Sequence, residues 1–214
     1  MKKTTNSSQR NRFVSRLVYL VALALAIILL APARNGSLVP NCFVTVAQAQ
    51  KTQAPKSDAQ KAFDLIKTLA GNWKGPVTTV PPMPDMNGLA VRVSLRVTSG
   101  GAALMHEMVP EGRIADPTNG DDDPITMLYI ENDRLLLTHY CDSAKNRPRM
   151  VGKLSSGGKT VEFDFLDVAG GTTYGHMSHA VFTIIDADHH TEEWTFMAPG
   201  NKSARARQDL TRVK

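Results

Sequence analysis

Two cysteines, Cys42 and Cys141, are all that the 214 residues contain. Cys42 falls in a stretch that reads as a leader, so the rest of the chain holds a single thiol and no internal disulfide. A domain of about 150 residues buries a sizeable core without such staples, so export does not require them. Acidic residues are missing from positions 1–49, which carry Lys2, Lys3, Arg10, Arg12, Arg16 and Arg34. The formal net charge of +5 is therefore the leader's, and beyond it 19 basic residues face 20 acidic ones. That balance lacks the basic footprint that DNA or RNA binding requires, so nucleic acid is not an expected partner.

Long apolar runs are also scarce. The run from Leu17 to Ala31 stops at Pro32 and falls short of the roughly 20 residues that a membrane-spanning helix needs. It suits the core of a signal peptide, and residues 1–49 are read as one. Small-x-small cleavage patterns stand at Ala47-Gln48-Ala49 and at Ala31-Pro32-Ala33. An uncleaved amino-terminal anchor is the alternative. Cys42 follows Pro40-Asn41, where a lipid-modified cysteine wants a small residue. The expected address is periplasmic or extracellular, with membrane contact only through the amino-terminal segment.

Catalytic signatures are missing too. There is no phosphate-cradling glycine loop, no Gly-x-Ser-x-Gly and no Ser/His/Asp motif. Asp116, Asp121, Asp122 and Asp123 lack the alternating spacing of a calcium loop and read as a solvated turn. Cys141 and His139 are two apart on a predicted strand, where Cα atoms lie about 6.5–7 Å apart and side chains run parallel. That argues against a catalytic thiol. His176 and His179 would share a face only on a helix, and His189-His190 is expected solvated at a turn. No cofactor and no metal is expected, although His106, His139 and His176 all fall within predicted strands and keep a cross-strand metal or haem site as an alternative.

What is present is strand-like. After a linker at 50–57, Ser57-Asp58-Ala59-Gln60 has capping-box spacing. From Asp58 to Ala70, Ala62, Phe63, Ile66, Leu69 and Ala70 fall on one helical face, opposite Asp58, Lys61, Asp64 and Lys67. Gly71 ends this helix. Predicted strands follow near Asn72–Thr79, Leu89–Thr98, Ala102–Val109, Ile125–Ile130, Arg134–Cys141, Arg149–Leu154, Thr160–Leu166, Gly175–Ile185, Thr191–Met197 and Lys202–Val213, separated by turns. Val91, Val93, Leu95 and Val97 alternate with Arg92, Ser94, Arg96 and Thr98, and parity alone leaves open which set faces inward. In the eighth strand His176, Ser178, Ala180, Phe182 and Ile184 oppose Met177, His179, Val181, Thr183 and Ile185. Residues 58–214 are thus expected to form one all-β domain, an antiparallel barrel of about ten strands with a helix lidding one end.

Leu69-Ala70-Gly71-Asn72-Trp73 with Gly75, Leu135-Leu136-Leu137-Thr138-His139-Tyr140-Cys141, Arg147-Pro148-Arg149-Met150 and Gly175-His176-Met177-Ser178-His179 together resemble an exported bacterial family of unknown function. That family is similar to the calycin superfamily and is described as lipocalin-like. The resemblance implies a barrel holding a small hydrophobic or amphipathic ligand. It implies structural roles for Gly71 and for Trp73, which would plug one end beneath an arginine of the last strand, Arg205, Arg207 or Arg212. The candidate ligand-binding residues are His139, His106, Tyr140, Arg149 and His176. An interior arginine–glutamate pair beside His139, drawn from Arg92, Arg96, Glu107 and Glu162, would suit a carboxylate or amide head. The enzymatic alternative makes His139 the general base of an isomerase or hydrolase, oriented by Glu107 or Glu162.

Overall fold

Ser57 starts the one α-helix among the described residues, α1 (Asp58–Lys67), by accepting the Gln60 amide N–H on its hydroxyl at 3.2 Å. The reciprocal half of the expected capping box is not made: the Gln60 side chain donates instead to Asp64 at 2.8 Å. Asp58 in the first turn and Lys67 in the last both suit the helix dipole. The helix ends three residues before Ala70 because the last amides bond three residues back rather than four: Thr68 to Leu65, Leu69 to Ile66 and Ala70 to Lys67. That tightening turns Leu69 into the core and aims its carbonyl at the indole of Trp73, which donates to it at 2.8 Å.

The computed structural model describes residues 55–114, 118, 123–141 and 143–214. The leader with its cleavage patterns and Cys42, and Asp116, Asp121 and Asp122 of the acidic loop, lie outside the described residues. Ten strands follow the helix: β1 (Gly71–Val80), β2 (Ala90–Thr98), β3 (Ala103–Pro110), β4 (Ile125–Glu131), β5 (Arg134–Tyr140), β6 (Arg147–Leu154), β7 (Thr160–Ala169), β8 (His176–Ile184), β9 (His189–Ala198) and β10 (Lys202–Arg212). Each pairs antiparallel with its neighbours in sequence, and β1 pairs with β10, so the sheet closes into an up-and-down barrel. Closure removes the unpaired edges that an open sheet would expose.

Alternation sets what lies inside. Val91, Val93 and Leu95 are buried while Arg92 and Arg96 are exposed, which answers the question that parity left open. The arginines belong to the outside. The helix end of the barrel is packed solid, with Phe63 and Ile66 of α1 and Leu69 just past its end in one core with Trp73, Leu128, Leu135, Met150, Phe163 and Leu210. Arg212 closes this end. Its guanidinium lies 4.0 Å over the Trp73 ring and donates to the carbonyls of Ala70 and Ala187, both at 2.9 Å.

Two glycines make that closure fit. Gly71 has φ 140°, and a Cβ there would meet Arg212 Nη1 at 2.5 Å. At Gly75 a Cβ would come within 1.7 Å of the Asp209 carbonyl oxygen across the β1–β10 seam. Only glycine lets the two backbones approach that closely.

Two expectations about strands are corrected. His189 and His190 are not at a solvated turn: the turn is tighter, with Asp188 N–H bonded to Asp186 Oδ1 at 2.8 Å and Ile185 and Asp186 both donating to the His189 carbonyl. Strand β9 therefore begins at His189 and buries His190 completely. In β8 a bulge between Met177 and His179 breaks the strict alternation, so Met177 pairs with Phe196 and Ala180 with Trp194. One extra residue moves Met177 to the side of Ala180 and Phe182.

Candidate functional site

Strand β9 supplies the centre. His190, Glu192 and Trp194 follow at every second position and point into the barrel, where period-two geometry must place them together. From the facing wall, His106 of β3 reaches the same point. His106 Nε2 donates to Glu192 Oε2 at 2.9 Å, Trp194 Nε1 donates to the same oxygen at 3.1 Å, and His190 Nε2 donates to Oε1 at 3.0 Å. Glu192 is 0 % exposed and accepts three hydrogen bonds. Burial alone would raise its pKa; the charge of His106 and the hydrogen bonds from His106 and His190 outweigh that and hold the carboxyl well below the ordinary range.

A second polar row adjoins this cluster. His106, Thr126 and His139 stand directly opposite one another on β3, β4 and β5. Thr126 Oγ1 and His139 Nδ1 share a hydrogen bond of 2.8 Å. The Trp194 ring lies between the two histidines, 5.6 Å from His106 and 5.5 Å from His139 by ring centroids, and Phe182 packs edge-on at 5.6 Å. Trp73 meets His190 edge-on at 4.2 Å from below. The site therefore rests on the solid floor of the barrel.

Above that floor the lining changes. Of the inward-facing residues towards the other end, Ala204, Ala206, Phe196 and Met177 are only partly buried, and Phe165 is exposed. His106, His139 and Trp194 retain 3–5 % exposure at the boundary between the two regions. Three polar atoms there and below, His106 Nδ1, His190 Nδ1 and Gln208 Oε1, are buried with no hydrogen-bond partner among the described residues. A buried polar atom left unsatisfied costs about 1–3 kcal/mol, so such atoms are ordinarily matched by water or a ligand.

Of the candidate residues from the sequence, His106 and His139 are brought together inside. The others are not. Tyr140 is exposed on the outer face of β5. Arg149 also points outward, because alternation turns its neighbours Pro148 and Met150 in. It makes a two-pronged pair with Asp167, Nε to Oδ1 at 2.8 Å and Nη2 to Oδ2 at 2.5 Å, which raises the arginine pKa and lowers that of the carboxyl. His176 stands at the start of β8, its ring tilted against Phe165 at 4.7 Å between centroids and away from the other two histidines. Gly71 and Trp73 sit at the helix end, where Arg212 is the stacked arginine rather than Arg205 or Arg207.

The expected interior arginine–glutamate pair is absent from these positions. Arg92 donates to the Arg113 carbonyl, Arg96 contacts Met105, and Glu162 pairs outside with His179. Glu107 alternates with the inward His106 and faces the other way. His139 is therefore oriented by Thr126 and by neither glutamate. The interior carboxylate is Glu192, which sequence reasoning missed along with His190, Thr126 and Gln208. The signal was there: Glu192, Trp194 and Phe196 share one parity, so a strand that buries its aromatics must also bury the carboxylate.

No protein-family model matches the sequence, and no curated protein matches it. Among solved structures, the crystal structure of Rv2717c from M. tuberculosis is similar, with a TM-score of 0.52 and 16 % identity over 72 % of this chain and 98 % of that one. A protein of unknown function from the DUF3598 family of Nostoc punctiforme aligns over 74 % of this chain and 100 % of its own, at 8 % identity and a TM-score of 0.21, too low to carry any argument. At such identity the likeness to Rv2717c is one of fold alone.

Proposed function

We propose that this chain is an exported binding protein that holds a small amphipathic molecule in the open half of its barrel. Its polar group would meet His106 and His139, and its apolar part would lie along Trp194, Phe196 and Met177. The observation that carries this reading is the buried, unpartnered Nδ1 of His106 at the base of the partly exposed lining. His106 already gives its Nε2 proton to Glu192. Its Nδ1 accepts a hydrogen bond when the ring is neutral and donates one when it is protonated. A ligand hydroxyl, which both donates and accepts, satisfies either state.

The leader favours export, and the barrel interior supplies the mixture of apolar wall and few polar groups typical of ligand sites. The test is native mass spectrometry of the domain purified from its own cell envelope, followed by denaturing extraction. A co-purifying small amphiphile, displaced in His106→Ala, is the expected result. Protein that emerges empty and fails to take up an added panel of aliphatic alcohols and acids would overturn the reading. A bound haem or metal would replace it with a carrier of that group.

A further inference from the structure

The outer face of the barrel carries a second constellation, unconnected with the interior. Glu162 and Asp164 are two apart on β7 and so share a face, which the exposure of both shows to be the outer one. His179 of β8 pairs directly with Asp164. His179 Nε2 lies 2.9 Å from Glu162 Oε1 and 3.7 Å from Asp164 Oδ1, and one ligand atom from each of the three residues falls within 4.8 Å of the others.

We propose that Glu162, Asp164 and His179 form a surface site for a divalent transition metal, zinc above all. The donor set is the argument. One imidazole nitrogen with two carboxylate oxygens is a combination that zinc accepts, and softer sulfur-seeking or purely oxygen-seeking ions are less well served by it. Zinc bonds these atoms at about 2.0–2.2 Å, which places tetrahedral ligand atoms about 3.3 Å apart. The two distances from His179 lie on either side of that value, so side-chain rotations can close the set around an ion. Three protein ligands leave the fourth position to water, on the solvent side.

The backbone arranges this. The bulge between Met177 and His179 resets the alternation of β8 and brings His179 opposite Asp164 on the outside. Without it, His179 would take the parity of Met177, which pairs with inward Phe196. The nearest competing cation is Lys153, 3.6 Å from Asp164 Oδ2, with its side chain 73 % exposed and therefore easily displaced. His189 makes a similar pair with Asp209 at 2.7 Å, but with one carboxylate it offers two ligands only.

The experiment uses tag-free, chelator-stripped protein and titrates zinc chloride by calorimetry. Wild type should bind one ion. His179→Ala and the double variant Glu162→Gln/Asp164→Asn should each weaken binding at least tenfold, and His189→Ala should leave it unchanged. Cobalt(II) in place of zinc should give visible absorption bands that His179→Ala abolishes. All three sites are exposed enough for the variants to fold, and their melting curves without metal would check this. Wild-type protein that binds no zinc, or a His179→Ala variant that binds as tightly as wild type, overturns the proposal.

Discussion

Glu192 is the residue on which the interior turns. A carboxylate that is wholly buried survives there because three donors converge on its two oxygens, so neutralising it as an amide takes the acceptor from at least one of them. In Glu192→Gln the amide NH2 group must replace either the oxygen that accepts from His190 or the one that accepts from both His106 and Trp194. We expect that substitution to cost about 3–5 kcal/mol, the range for breaking one side of a buried ion pair, measured by urea unfolding at pH 7. The pH dependence follows from the direction of the shift. A folded pKa held below the unfolded one gives stability that is complete above the unfolded value of about 4.3 and is lost as pH falls towards the folded one. The gap between wild type and Glu192→Gln should therefore be steady from neutral pH down to about 5 and shrink below about 4. A gap unchanged at pH 3 would show that the carboxylate contributes by shape and not by charge. His106 and His139 were legible as candidates because both fall within predicted strands, although neither strand alternates plainly. His190 was not, because two adjacent histidines after Asp186-Ala187-Asp188 look like the continuation of a turn until the Asx bond of Asp186 is seen to end it early.

At the scale of elements, the order of α1 and the ten strands of the described residues was readable from the punctuation, since each turn is marked by glycine, asparagine, aspartate or serine. What periodicity cannot convey is an inserted residue. The bulge in β8 leaves the sequence pattern looking continuous while the pairing slips by one, and every inference about His176 and Met177 that rested on strict alternation inherited the slip. Arg149 shows the complementary limit: an arginine beside a buried position looks like an interior head-group binder until Asp167 is known to stand opposite it on β7. The seam between β1 and β10 is the element most exposed to a single change. Gly75→Ala would set a methyl group 1.7 Å from the Asp209 carbonyl, a contact that no rotamer relieves because both partners are backbone-fixed. The strands must part. We expect a loss of more than about 3 kcal/mol, read by thermal denaturation, with faster amide exchange in β1 and β10 than in β5 and β6. An alanine variant as stable as wild type would mean that the seam has slack the geometry does not reveal.

The barrel domain is a closed wall with unequal halves, one filled by Trp73, the α1 face and the aromatic floor, the other lined by side chains that solvent still reaches. Closure itself was foreseeable from ten strands and a helical lid; the division into floor and opening was not, because it depends on which inward residues are small and how far the helix packs down. That division separates a binding barrel from a merely stable one, and it can be tested without touching the polar cluster. Ala206 faces inward on β10 directly across from Trp194 and is only partly buried. Ala206 also packs against the edge of the core, so Ala206→Phe would add a ring beside Trp194 at the boundary between the floor and the open half. If the open half is where a ligand sits, the added ring extends into it, and this variant should stay folded at a cost of no more than about 1–3 kcal/mol, yet carry no co-purifying molecule in native mass spectrometry. Should it unfold, the region is already packed and the binding reading falls with it. Should it fold and still carry the wild-type ligand, the ligand lies elsewhere, and the buried histidines serve only to hold Glu192.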